Sequence, residues 1–202
     1  MILSTTIATV FAGFAVLFGA VSRFEATRPY FKSFGMSNLV SEPVSRRMLV
    51  GTLSSISGGL ISAVWIWIIQ RQEVIGQTSL CAASSGCASA LSEHAFNTIP
   101  FTNLQFGLFF VLWFSLLIFI ALSIHLEPNW STNESFLSLG RIGAIIGTLI
   151  ALVMLVVHLV RVEEAPAICS LCLILVAANI VTLYQFHLLY NSHSDGTWDS
   201  KN

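Results

Sequence analysis

Five long stretches without a charged side chain constrain the fold of this chain more than any other feature. They cover residues 2–22, 48–70, 104–124, 142–160 and 167–187, and none contains Asp, Glu, Lys or Arg. A helix rises about 1.5 Å per residue, so about 20 residues cross the hydrocarbon core of a bilayer. Only 9% of the chain is charged, whereas soluble domains have roughly 25%. We therefore predict an all-α polytopic membrane protein with five transmembrane helices.

The first stretch has two interpretations. Its length suits an uncleaved transmembrane helix, and small residues near its end also suit a cleaved signal peptide. Signal peptides normally begin with basic residues, and no Lys or Arg precedes Arg23. We therefore favour an N-terminal transmembrane helix followed by a basic loop, together covering residues 1–47.

Basic residues predict the orientation in the membrane. Loops that are rich in Lys and Arg lie on the cytoplasmic side, and five of the nine basic residues lie between residues 23 and 47. Placing this loop inside puts the N-terminus outside and the C-terminus inside. We predict a core over residues 48–190 with an outer loop at 71–103, a polar connector at 125–139, and a mobile tail at 191–202.

The four cysteines form two pairs, and this topology places both pairs on the non-cytoplasmic face. Cys169 and Cys172 are spaced as CxxC at the start of the last span, where helix N–H groups stabilise a thiolate. Cys81 and Cys87 lie in the outer loop, separated by five residues that include Ser84, Ser85 and Gly86. That face is oxidising in most cells. Thiol–disulfide exchange could therefore pass electrons from the loop pair to the helix pair, and a quinone is the natural two-electron acceptor in a membrane.

Other interpretations of the same residues remain open. Two structural disulfides could brace the outer surface, and four cysteines could bind zinc or an iron–sulfur cluster. His158, the titratable side chain of the fourth span, could serve a quinone or proton path or could be an ordinary interfacial histidine. The net charge of −1 gives no electrostatic argument for nucleic-acid binding.

The cysteine pattern resembles the bacterial members of the vitamin K epoxide reductase family over roughly residues 48–190. A Cys-x5-Cys loop follows a span, and CxxC opens the last span. Asn179 lies seven residues after Cys172, where the family often has Asn, and Ile99-Pro100 resembles the family's Gly-Ile-Pro. The disulfide-bond formation protein B family is the near rival, but it carries its CxxC in the first outer loop.

The resemblance implies a four-helix bundle core, to which the chain adds its N-terminal transmembrane helix. It also implies roles for single residues. Cys81 would exchange with a thioredoxin-like partner on the periplasmic or lumenal side, and Cys87 would shuttle to Cys169. Cys172 would face a quinone of the ubiquinone or menaquinone type, with Asn179 near it.

We therefore expect a membrane thiol:quinone oxidoreductase that supports disulfide bond formation, in a membrane such as the bacterial inner membrane. The alternative is a non-catalytic membrane subunit of a larger assembly, in which the disulfides are structural. A metal-binding transporter is a third possibility, and it predicts stoichiometric metal in the purified protein.

Overall fold

The computed structural model describes residues 2–22, 24, 43–75, 98–99, 104–127, 132–161 and 169–198. Five α-helices account for nearly all of these residues, and within the same ranges there is no β-strand beyond a single bridge between Thr98 and Gln105. The helices are α1 (Ile2–Val21), α2 (Val44–Ile75), α3 (Phe106–Leu126), α4 (Asn133–Arg161) and α5 (Ser170–Ser194).

The surface of these helices is apolar. Phe14 of α1, Phe119 of α3 and Val153 of α4 each expose about 60% of their area, which a soluble protein would avoid over so wide a surface. By length and composition α2, α3, α4 and α5 can each cross a membrane, whereas Thr5–Val21 of α1 is a shorter apolar helix of 10–17 residues. The protein is an all-α polytopic membrane protein, as predicted.

The helices α2, α3, α4 and α5 form a closed four-helix bundle. Each packs against the next, α5 returns to α2, and α1 lies against both α2 and α5. This arrangement confirms the predicted four-helix core with one additional N-terminal helix. The sequence left open whether that first helix packs against the core, and here it does.

Neighbouring helices of the bundle run antiparallel. A Cβ on Gly107 would lie 2.6 Å from the backbone of Trp67, so the start of α3 lies beside the end of α2. A Cβ on Gly140 would lie 2.4 Å from the Phe186 ring, so the start of α4 lies beside the end of α5. One end of the bundle therefore contains the ends of α2 and α4 and the starts of α3 and α5. We call it the cysteine end, because Cys169 immediately precedes α5.

Small residues hold α1 against α2, in a contact that we call the α1–α2 seam. Gly58 lies so close to α1 that a Cβ there would be 2.7 Å from the Ala12 carbonyl oxygen. Beside it the Ser54 hydroxyl donates a hydrogen bond to the Ala15 carbonyl across 2.8 Å. Small residues suit close packing of helices in lipid, and those of α2 allow it at the seam.

Two helices begin earlier than predicted. Pro43 precedes α2, and its carbonyl accepts a hydrogen bond from the Arg47 N–H, so residues 44–47 are helical instead of belonging to the basic loop. Arg47 is only 1% exposed. The connector predicted at 125–139 is shorter than expected, because α4 begins at Asn133, whose amide donates to the Glu127 carbonyl.

The C-terminal segment also differs from the prediction. The tail was expected to begin at Asn191, but α5 continues to Ser194 and the chain then packs back onto the bundle. Trp198 is only 9% exposed, and its carbonyl accepts a hydrogen bond from the Ser45 hydroxyl at the start of α2. The last turn of α5 and the residues after it are thus part of the folded protein up to Trp198.

Candidate functional site

The CxxC pair lies at the start of α5, as the sequence predicted. Cys169 is the N-cap residue in extended conformation, and its carbonyl accepts the Leu173 N–H at 3.1 Å. Its side chain is disulfide-bonded and only 3% exposed. Cys172 is the third residue of the helix, is half-buried against the apolar core, and carries a thiol. The two sulfur-bearing residues therefore share the first turn of the last helix.

The loop that carries the other two cysteines is attached at the same end of the bundle. The Gln70 side chain near the end of α2 accepts a hydrogen bond from the Gly107 N–H of α3, with an N–O distance of 3.0 Å. Where the chain returns from the loop, it is fixed by the Ile99 N–H, which donates to the Leu104 carbonyl at 2.9 Å. Both attachment points of the loop therefore lie at the cysteine end.

Cys81 and Cys87 themselves lie outside the described residues. Their predicted exchange with the helix pair therefore stays a prediction. The same holds for Pro100 and for the side chain of His158, so the proposed role of that histidine is equally untested.

Asn179 lies on the same face of α5 as Cys172, because seven residues are nearly two full turns of a helix. It is completely buried, and its Nδ2 donates to the Leu175 carbonyl at 2.9 Å. Its Oδ1 is buried and accepts no hydrogen bond from the described residues. The amide is therefore half satisfied, about 10 Å further into the bundle than Cys172 by helix rise.

A residue that sequence reasoning did not select lies opposite Asn179. The indole Nε1 of Trp113 on α3 is buried, and the described part of the chain offers it no acceptor. Both groups face Gly147 of α4. A Cβ on that glycine would be 2.4 Å from Trp113 Nε1 and 2.6 Å from Asn179 Oδ1. We call these three residues the Trp113–Asn179 site.

One sequence signal could have indicated Trp113. Tryptophan is enriched at membrane interfaces, but Trp113 is the eighth residue of a 21-residue helix and is therefore away from its ends. The juxtaposition with Asn179 depends on how α3, α4 and α5 pack. A single sequence does not show that packing.

Two more buried polar residues lie further along α5. Thr182 is fully buried, and Gln185 is only 4% exposed. The Gln185 side chain donates to the Gly19 carbonyl of α1 across 2.6 Å, so it ties the first helix to the bundle. Polar groups buried in a membrane protein are uncommon and often functional, and of these three residues of α5 Asn179 is the nearest to Cys172 along the helix.

A scan against family models, a search of curated proteins and a search of solved structures each found no match.

Proposed function

We propose that this protein is a membrane thiol:quinone oxidoreductase of the vitamin K epoxide reductase type. The observation that carries the proposal is the shared position of the two cysteine segments. Cys169 and Cys172 open α5, and both attachment points of the loop that holds Cys81 and Cys87 lie at that same end of the bundle. A fold that kept the segments on opposite sides would exclude the relay.

The first half of the reaction is thiol–disulfide exchange. A reduced thioredoxin-like protein attacks the Cys81–Cys87 disulfide, becomes oxidised and leaves both loop cysteines as thiols. The Cys87 thiolate then attacks Cys169, forms a mixed disulfide and releases the thiolate of Cys172. Attack by Cys81 on Cys87 restores the loop disulfide and leaves the helix pair as a dithiol. The disulfide state of buried Cys169 supports its place in this exchange.

The second half transfers two electrons out of the cysteines. The Cys169–Cys172 dithiol loses two electrons and two protons and becomes a disulfide, and a quinone gains both and becomes a hydroquinone. Cys172 is the cysteine that meets the quinone, because it lies inside the first turn of α5 and packs against the apolar core. Asn179, on the same helix face, lies near the quinone deeper in the bundle.

The proposed orientation follows the basic residues. The cysteine end faces the periplasm or an equivalent lumen, where a thioredoxin-like partner can reach the loop. The opposite end, with Arg46 at the start of α2 and Arg141 in α4, faces the cytoplasm. A bacterial inner membrane meets these conditions and supplies a ubiquinone or menaquinone.

The test is reduction of a short-chain quinone by the purified protein in lipid nanodiscs, with a dithiol reductant as electron donor. We expect Cys172→Ser to lower the rate at least 100-fold, because a hydroxyl does not take part in disulfide exchange. Ser170→Ala is the matched control, since Ser170 is an exposed residue of the same turn, and we expect its rate to stay within twofold of wild type.

The same variant also reports on the exchange step. In Cys172→Ser the mixed disulfide of Cys87 and Cys169 should accumulate, and mass spectrometry of the digested protein would detect the joined peptides. A folded Cys172→Ser protein that reduces quinone at the wild-type rate would contradict the proposed function. Wild-type protein that does not reduce quinone at all would favour the alternative of a non-catalytic subunit whose disulfides only brace the fold.

A further inference from the structure

The Trp113–Asn179 site contains one hydrogen-bond donor and one acceptor whose orientations are fixed. The Asn179 Nδ2 is already donating to the Leu175 carbonyl, a bond that the amide oxygen could not make. Its Oδ1 is therefore the atom presented toward Gly147. Trp113 is held by stacking on Phe109, with ring centroids 5.5 Å apart, and its Nε1–H acts only as a donor.

Gly147 is what lets these two buried atoms lie directly against α4. The ideal Cβ position of this residue is within 2.6 Å of both polar atoms, so any side chain there would collide with them. Gly143, one turn earlier on α4, is different. A Cβ there would be 3.4 Å from Leu117 and 3.8 Å from Trp113, which is ordinary contact or slightly closer.

Buried polar atoms in proteins are nearly always hydrogen-bonded, and each exception calls for an explanation. The two here converge on one glycine and are complementary to each other in hydrogen-bonding character. A group that both accepts and donates would satisfy both of them. A hydroxyl has this character, whereas a ketone oxygen can only accept and would satisfy Trp113 alone.

We propose that Trp113 and Asn179 together bind one oxygen of the quinone ring and favour its reduced, hydroxyl form. This inference rests on the proposed function and assigns the residues that hold the ring. In the oxidised ligand the carbonyl oxygen accepts the Trp113 Nε1–H. When the Cys169–Cys172 dithiol gives up two electrons and two protons, that oxygen becomes a hydroxyl and donates to Asn179 Oδ1. The hydroquinone thus makes one hydrogen bond more than the quinone.

Binding of decylubiquinone and decylubiquinol to the oxidised protein in nanodiscs tests the proposal without requiring turnover. We expect wild type to bind the hydroquinone at least fivefold more tightly than the quinone. Asn179→Leu should remove this preference while quinone affinity changes by less than twofold. Trp113→Phe should weaken both ligands by about five- to tenfold, the range expected for one lost hydrogen bond.

The two glycines of α4 provide the matched pair of variants. Gly147→Ala should weaken the hydroquinone at least fivefold, whereas Gly143→Ala should bind both ligands within twofold of wild type. Asn179→Leu keeps the test valid if Trp113→Phe fails to fold. Equal affinity of wild type for the two ligands, or a Gly147→Ala protein that is folded and binds like wild type, would overturn the proposal.

Failure of this inference is distinguishable from failure of the proposed function. If Cys172→Ser abolishes quinone reduction but Asn179→Leu and Trp113→Phe leave the quinone KM and the hydroquinone affinity unchanged, the relay stands and the ring is held elsewhere. If wild type binds the hydroquinone with the expected preference but Cys172→Ser reduces quinone normally, the site stands and the proposed electron path is wrong.

Discussion

Glycines allow close approach in two parts of this bundle, and the two contacts differ in whether their polar groups are hydrogen-bonded. In the α1–α2 seam the space left by Gly58 is filled by the backbone of α1, and the neighbouring Ser54 hydroxyl is hydrogen-bonded across the interface. In the Trp113–Asn179 site the space that a Cβ of Gly147 would take is filled by two buried polar atoms without partners in the described chain. The first contact satisfies its polar group, and the second leaves two polar groups for the proposed ligand.

The seam should respond strongly to added volume. We expect Gly58→Ala to lower the free energy of unfolding by about 1–3 kcal/mol, the usual cost of overpacking, because the added Cβ meets the Ala12 carbonyl oxygen and backbone cannot move away cheaply. Unfolding monitored by circular dichroism in mixed micelles would measure the change.

Gly13→Ala in α1 is the control for this experiment. A Cβ at Gly13 would have only ordinary contact with Ile174 at 3.7 Å, and alanine favours a helix over glycine by about 1 kcal/mol. Gly13→Ala should therefore be neutral or stabilising. If both alanine variants have the same stability, the seam does not depend on close approach.

The sequence predicted the features that depend on local pattern. Five uncharged stretches of membrane length gave the five helices, and CxxC at the edge of the last stretch gave the position of Cys169 and Cys172. The start of α4 at Asn133 was not predicted, because the first residues of the helix, Asn-Glu-Ser, are polar. Leu137, which is buried in the core, comes only four residues later.

Features that depend on contacts between helices could not be predicted from one sequence. Nothing in the pattern around Trp113 indicates that its indole faces Asn179, since the two residues are 66 positions apart. The packing of Trp198 against the start of α2 could not be predicted either, because a polar segment after the last helix usually indicates a mobile end.

The Trp113–Asn179 site should gain stability when its unpaired acceptor is removed. An unsatisfied buried polar group costs about 1–3 kcal/mol, so without ligand we expect Asn179→Leu to raise the free energy of unfolding by about 1 kcal/mol. A saturating hydroquinone should raise the melting temperature of wild type but not that of the variant, because a ligand stabilises only the protein that binds it.

Asn191→Leu is the control for this substitution. Asn191 is an exposed residue of α5 whose amide contacts His187, so its replacement relieves no buried unpaired group and should leave the stability nearly unchanged. If Asn179→Leu is clearly less stable than wild type, the Asn179 amide has a structural partner and the contrast between the two regions is lost.

The smallest expected effect concerns the hydrogen bond in the seam. Interhelical hydrogen bonds in membrane proteins contribute about 0.6 kcal/mol on average, so Ser54→Ala should lower the free energy of unfolding by about that amount. Ser57→Ala is the matched control, because the Ser57 hydroxyl donates to Leu53 of its own helix at 2.7 Å and that carbonyl keeps its helical partner. A loss for Ser54→Ala as large as that for Gly58→Ala would mean that polar contacts, more than close approach, hold α1 to the bundle.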